Sequence, residues 1–199
     1  MTETAAVRAR NLRTVGMLAA LFLLPLALAF FAYYGTGWRP AGRVNHGSLI
    51  TPPRSLPAPA LPRVPPEAGA AGDRFRGAWT LVYVGDGACG EDCRRALVVM
   101  RQTRLALNSD MTRVRRMFLA TGSCCARELI EHPEPGLAVL DATGAEAGAL
   151  LAAFPAAGRA HLLFVVDPLG NLMMSYDART DPHGLLEDLR KLLRLSHIG

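Results

Sequence analysis

Lysine is almost missing from this 199-residue chain: Lys191 is the single one, beside 21 Arg. That imbalance by itself carries no functional weight. The distribution of charge does. Residues 1–71 hold seven Arg against two Glu, which accounts for the whole formal charge of +5. Residues 72–199 hold fifteen cations and fifteen acids, so the folded part is neutral. A nucleic-acid-binding domain carries its positive charge on its folded surface, and that class is excluded. Aromatic residues are scarce at 7%, and there is no internal repeat. With 50% hydrophobic and 20% charged residues the chain is nevertheless too apolar to be disordered, and it is long enough for one buried core. Only four cysteines are present, and they lack the spacing of a four-ligand zinc finger.

Long apolar runs are equally few, and the one that exists is informative. Val15–Tyr34 is twenty residues without charge, which spans ~30 Å as a helix, the thickness of a bilayer core. Arg8, Arg10 and Arg13 precede it, and Tyr33, Tyr34 and Trp38 form an aromatic belt at the far end. The expectation is an uncleaved single-pass anchor in the inner (cytoplasmic) membrane, with a cytoplasmic tail at 1–14, the span at 15–34 and an exported, periplasmic C-terminal domain. A cleaved signal peptide ending near Ala27-Leu28-Ala29 is the rival, but the apolar run continues past that point. Between Thr51 and Pro66, seven of sixteen residues are Pro, which predicts an extended polyproline II spacer within a linker at 35–72.

From residue 73 onward the pattern alternates. Trp79–Val84 predicts a buried strand, Glu91–Leu107 a helix, Val114–Ala120 a strand, Cys124–Glu131 a short helix and Gly136–Leu140 a strand. Ala145–Phe154 reads as a weak helix. His161–Val166 and Leu172–Tyr176 read as strands joined through Asp167-Pro168-Leu169-Gly170-Asn171, a strong hairpin signal. Asp181-Pro182 then starts a last helix that buries Leu185, Leu186, Leu189, Leu192 and Leu193. The expected fold class is α/β, a sandwich around a mixed sheet.

The chemistry concentrates where the first strand meets the first helix. Cys89 and Cys93 flank Gly90-Glu91-Asp92 at the helix start, where unpaired backbone N–H groups and the helix dipole favour a thiolate. Cys89 is the expected nucleophile, and Cys93 lies one turn on, close enough for a disulfide or for two thiolates on one metal. Two thiolates with an imidazole suit copper. A plain stabilising disulfide in an oxidising compartment is the competing reading, although so short a loop removes little chain entropy. The adjacent Cys124-Cys125 reads as a helix start with one Cys buried and the other inert; resolving a disulfide or supplying a soft ligand is the functional alternative.

The stretch GAWTLVYVGDGACGEDCRRAL, Gly77–Leu97, resembles the motif of the Sco/SenC family: a Trp-containing strand, a Gly turn, then two Cys three residues apart. The resemblance implies a thioredoxin-like domain over 73–199, held on a membrane anchor, that helps deliver copper to cytochrome c oxidase subunit II or another copper-site client. It also implies Cys89 and Cys93 as thiolate ligands with His161 as the third. His161 stands two residues nearer the Asp167-Pro168 turn than the family's usual histidine, on the same strand face, with Arg159 in the usual place. Two alternatives share the site: a thiol–disulfide oxidoreductase that reduces client cysteines without carrying metal, and a non-catalytic partner that docks on a membrane complex.

Overall fold

The computed structural model describes residues 2–36, 45–66, 75–196 and 198. The chain divides into two compact units, Met1–Val44 and Asn45–Gly199. In the first, α1 (Thr2–Phe30) passes into a π-helical turn at Phe31–Gly35. Helix therefore begins well before residue 15, because nothing between Thr2 and Val15 breaks it. Its Arg10–Gly35 stretch is one helix long and apolar enough to cross a membrane, ~39 Å at 1.5 Å per residue. Phe22 and Leu26 stand exposed along it.

The second unit is built on one mixed sheet. Its strands are β1 (Ser48–Ser55), β2 (Arg63–Val64), β3 (Trp79–Asp86), β4 (Val114–Thr121), β5 (Leu137–Asp141), β6 (Leu162–Val166) and β7 (Asn171–Asp177). They lie in the order β1-β7-β6-β3-β4-β5-β2. The β3–β4 and β4–β5 pairs are parallel, and the other four pairs are antiparallel. The helices are α2 (Glu91–Ala106), α3 (Arg127–Glu131), α4 (Gly148–Ala153) and α5 (His183–Leu195).

Because side chains alternate along a strand, β3 feeds two cores. Trp79, Leu81 and Tyr83 pack with Ala96, Leu97 and Met100 of α2 and with Leu185, Leu189 and Leu193 of α5. Val82 and Val84 pack on the opposite face with Leu150, Phe154 and Phe164. The expected leucine stripe of α5 is thus buried at Leu185, Leu189 and Leu193, while Leu186 and Leu192 are half-buried. The expected strands and long helices appear with end shifts of at most two residues. Two short helices start three residues late: α3 begins at Arg127 rather than Cys124, and Ala145–Ala147 forms a 3-10 turn before α4.

The Pro-rich segment departs from the expected spacer. β1 pairs with β7, Ser48 opposite Ser175 and Ser55 opposite Asn171, with an irregularity around Thr51-Pro52-Pro53. β2 pairs with β5 on the other edge. Leu56 and Leu61, between the two strands, are buried in the second core. Proline lacks a ladder donor, so it is tolerated on edge strands, and this Pro-rich segment supplies both edge strands of the sheet. Residues 45–66 are therefore part of the folded unit; positions 37–44 and 67–74 of the expected linker lie outside the described residues.

The start of this segment is fastened by a buried carboxylate. Asp188 of α5 accepts the backbone N–H groups of His46 at 2.8 Å and Gly47 at 3.1 Å, and the Tyr176 hydroxyl. Burial and this carboxylate push the Tyr176 phenol well above the ordinary tyrosine range.

Candidate functional site

Parallel pairing brings the C-terminal ends of β3 and β4 to one edge of the sheet, and antiparallel pairing brings the start of β6 and the end of β7 there too. Cys89, Cys124, Cys125, His161 and Asp177 sit on the loops and strand ends there, with Cys93 in the first turn of α2.

The β3–α2 loop is tied by Asp86, whose carboxylate accepts the Ala88 N–H at 2.8 Å and whose carbonyl accepts the Cys89 N–H at 3.1 Å. This turn holds Cys89 at φ 49°, a left-handed conformation that costs a non-glycine residue free energy. Gly90 then opens α2 without a side-chain cap, leaving first-turn N–H groups directed at the cysteine end. Glu91 and Asp92 in that turn oppose any added negative charge. Cys89 and Cys93 are joined in a disulfide, and the Cys89 carbonyl accepts from the Arg94 guanidinium at 3.0 Å. Both residues are buried, at 6% and 3% exposure. Cys89, the expected nucleophile, is the slightly more exposed of the two, but in this state its sulfur is oxidised and lies within the core cluster.

Cys124 and Cys125 are joined to each other. The expected helix start with one buried and one inert thiol is not found; both are half-buried, and the helix begins only at Arg127. No free cysteine remains.

His161 lies not in β6 but on the turn Arg159–His161 just before it. That turn packs on α2 and β3, and the Ala160 carbonyl accepts the Tyr83 hydroxyl at 2.7 Å. His161 Nε2 points to Asp177, 3.8 Å from its carboxylate. Arg179 holds the same carboxylate through Nε at 2.9 Å and Nη2 at 2.6 Å, and keeps its pKa at about 2. Burial, with the Asp92 carboxylate, pushes the Tyr83 phenol up to about 12. Among the described residues, no three His, Cys, Asp or Glu side chains stand where they could hold one metal ion. Cys89 and Cys93 are together; His161 shares their edge of the sheet but is engaged with Asp177. Sequence reasoning missed Tyr83, Asp177 and Arg179. The period-two pattern of the hairpin, continued one residue past Tyr176, was the signal that reaches Asp177.

A cysteine pair at the strand–helix junction of a mixed sheet covered by helices on both faces defines a thioredoxin-like protein. Over residues 79–196 the chain matches, and belongs to, the family described as "Transmembrane-like, thioredoxin-like, C-terminal domain". Among solved structures it is similar to yeast Sco1 with copper bound: TM-score 0.56, 14% identity, 77% of this chain and 95% of that one. It is similar also to apo Sco1 from Thermus thermophilus: TM-score 0.53, 14% identity, 77% and 99% covered. Arabidopsis thaliana ScoI with copper bound gives a TM-score of 0.52 at 18% identity, with 72% and 98% covered. At these identities the likeness is one of fold, and the fold is the Sco type expected from Gly77–Leu97. No curated protein matches the sequence.

Proposed function

We propose that this protein is a membrane-anchored copper-handling assembly factor of the Sco kind. Copper is its cargo, and cytochrome c oxidase subunit II or another copper-site protein is its client. The observation that carries the reading is the Cys89–Cys93 disulfide at the strand–helix junction of a Sco-type fold. In this reading α1 crosses the inner membrane with Arg8, Arg10 and Arg13 inside, and the domain works on the periplasmic side.

The pair has to be opened before it can hold a metal. Adding two electrons and two protons gives two thiols; copper binding then displaces the protons and leaves two thiolates. Soft Cu(I) is held by two thiolates, and the His161 imidazole, once turned away from Asp177, supplies the harder donor that Cu(II) prefers. A second reading rests on a specific observation. His161 is engaged with Asp177, and no three-ligand group stands ready among the described residues. That arrangement suits a thiol–disulfide oxidoreductase whose Cys89 and Cys93 reduce client cysteines.

Copper uptake by the reduced full-length protein in detergent, against a weak competing chelator, separates the two. The expected result is one copper per chain, with intense thiolate-to-metal absorption in the Cu(II) form. Cys89→Ser or Cys93→Ser should weaken binding by more than ~100-fold, since even partners outside the ligand set are worth 10–100-fold. His161→Ala should weaken Cu(II) more than Cu(I). No copper uptake by the reduced wild type would leave the oxidoreductase reading in its place.

A further inference from the structure

The two disulfides follow the ends of the neighbouring parallel strands β3 and β4 and are not equally accessible. Loop residue Gly87, two positions before Cys89, donates its N–H to the Thr121 carbonyl at 2.9 Å and accepts the Ala126 N–H at 2.7 Å. These bonds bracket Cys124 and Cys125. No side chain fits at Gly87: a Cβ there would press on the Ser123 carbonyl oxygen and stand 2.8 Å from the Cα of Cys124. Two residues of chain span at most ~7 Å, so Cys89 is held within that distance of a residue in contact with Cys124. Both pairs pack on one cluster, with Cys89 and Cys93 inside it and Cys124 and Cys125 half-buried at its margin. A large reductant therefore reaches the outer pair and is shielded from the inner one.

From this juxtaposition we infer that Cys124–Cys125 is a second redox site, through which an external dithiol protein reduces the buried Cys89–Cys93 pair. The inference rests on the reading of Cys89–Cys93 as the working pair. In the first exchange a thiolate of the external dithiol attacks one sulfur of Cys124–Cys125, and the other sulfur leaves and takes a proton. The second external thiol resolves that mixed disulfide. The partner is now a disulfide, and Cys124 and Cys125 carry two electrons and two protons. A thiolate of this pair next attacks Cys89, breaking its bond to Cys93, which is protonated. The remaining outer thiol then attacks the Cys89 mixed disulfide, re-forming Cys124–Cys125 and releasing Cys89 as a thiol. The net result is one external dithiol oxidised and one inner disulfide reduced.

Trypsin separates the two pairs, because Gly77–Arg94 carries Cys89 and Cys93 while Met117–Arg127 carries Cys124 and Cys125. The test mixes the oxidised full-length protein in detergent with reduced thioredoxin as the dithiol protein. Samples are acid-quenched over time, alkylated and read by peptide mass. Thiols should appear at Cys124 and Cys125 before Cys89 and Cys93. Cys124→Ser combined with Cys125→Ser should slow reduction of the inner pair by thioredoxin on the order of 10-fold or more, while dithiothreitol, being small, still reduces it. Cys93→Ser with Cys125→Ser, or with Cys124→Ser, leaves one thiol in each loop, and mild oxidation of at least one of these variants should link the two peptides. Unchanged kinetics in the outer-pair variant, inner thiols that appear first, or no linked peptide in either variant overturns the relay. If the outer-pair variant does not fold, the order of appearance in wild type and the linked peptide decide. An inner pair that resists both reductants in the native wild type overturns the relay and the working-pair reading together; an inner pair reduced equally well without its neighbour overturns the relay alone.

Discussion

Two aspartates fasten opposite ends of the sheet, each with three donors, and they do it in different ways. At the hairpin end, Asp167 accepts the N–H groups of Leu169 at 2.9 Å and Asn171 at 2.8 Å, and the Asn171 side-chain amide at 3.0 Å. Every partner lies within four residues. At the cysteine end, Asp188 accepts from His46 and Gly47, more than 140 residues away, and from Tyr176. The first carboxylate organises a turn that its own neighbours already favour. The second joins three elements that meet only when the domain is complete. One end of the sheet is thus built from local chemistry and the other by convergence. The cysteines, His161 and Asp177 all belong to the convergent end.

The difference should show in stability. Asp188→Ala removes the buried acceptor shared by the His46 and Gly47 N–H groups and the Tyr176 phenol. Its expected cost is about 3 kcal/mol, read from urea unfolding of the full-length protein in detergent, with β1 becoming accessible to protease. Asp188→Asn keeps a carbonyl acceptor and should cost less. Asp167→Ala, at a half-buried turn where water can replace the lost acceptor, should cost about 1 kcal/mol and leave β1 protected. Equal costs for the two alanine variants would erase the distinction between the two ends.

The same division decides what could be read from the sequence. The hairpin was legible because Asp-Pro-Leu-Gly-Asn carries its turn chemistry within itself, and α5 because its leucines recur on one face. β3 and the Cys89–Cys93 junction were legible because a buried strand running into a helix start is a contiguous pattern. β1 was not: it shows no alternation, is almost wholly exposed and contains two prolines, so only its partner β7 makes it a strand. Nor was the bond between Cys124 and Cys125, since the pattern of a helix start and the pattern of a linked pair are the same two letters. The engagement of His161 with Asp177 depends on a turn that lifts His161 out of the strand, which a period-two count runs through unseen.

The smallest expected effect separates the charges within the convergent end itself. The folded pKa of Asp177 is about 2, below the ordinary ~3.9 of a free Asp, because Arg179 favours the carboxylate. Its contribution is present above the unfolded value and is lost as pH falls through about 2. Asp177 is partly open to solvent and Arg179 more so, and solvent screening keeps this contribution small. Tyr83 has the opposite sign. Its phenol is raised from 10.0 to about 12, so its neutral form supports the fold below pH 10 and that support is lost as pH rises through about 12. Arg179→Ala should therefore bring the folded Asp177 back toward the free carboxylate range, flatten the acid limb between about pH 4 and about pH 2, and leave the alkaline limb in place. Tyr83→Phe should suppress the alkaline limb and, through loss of the bond to the Ala160 carbonyl, loosen the turn that carries His161. Amide exchange at Ala160 and His161 reads that loosening directly. If Arg179→Ala moved both limbs, or if Tyr83→Phe left exchange at the turn unchanged, the two sides of the cysteine edge would not be held by separate groups.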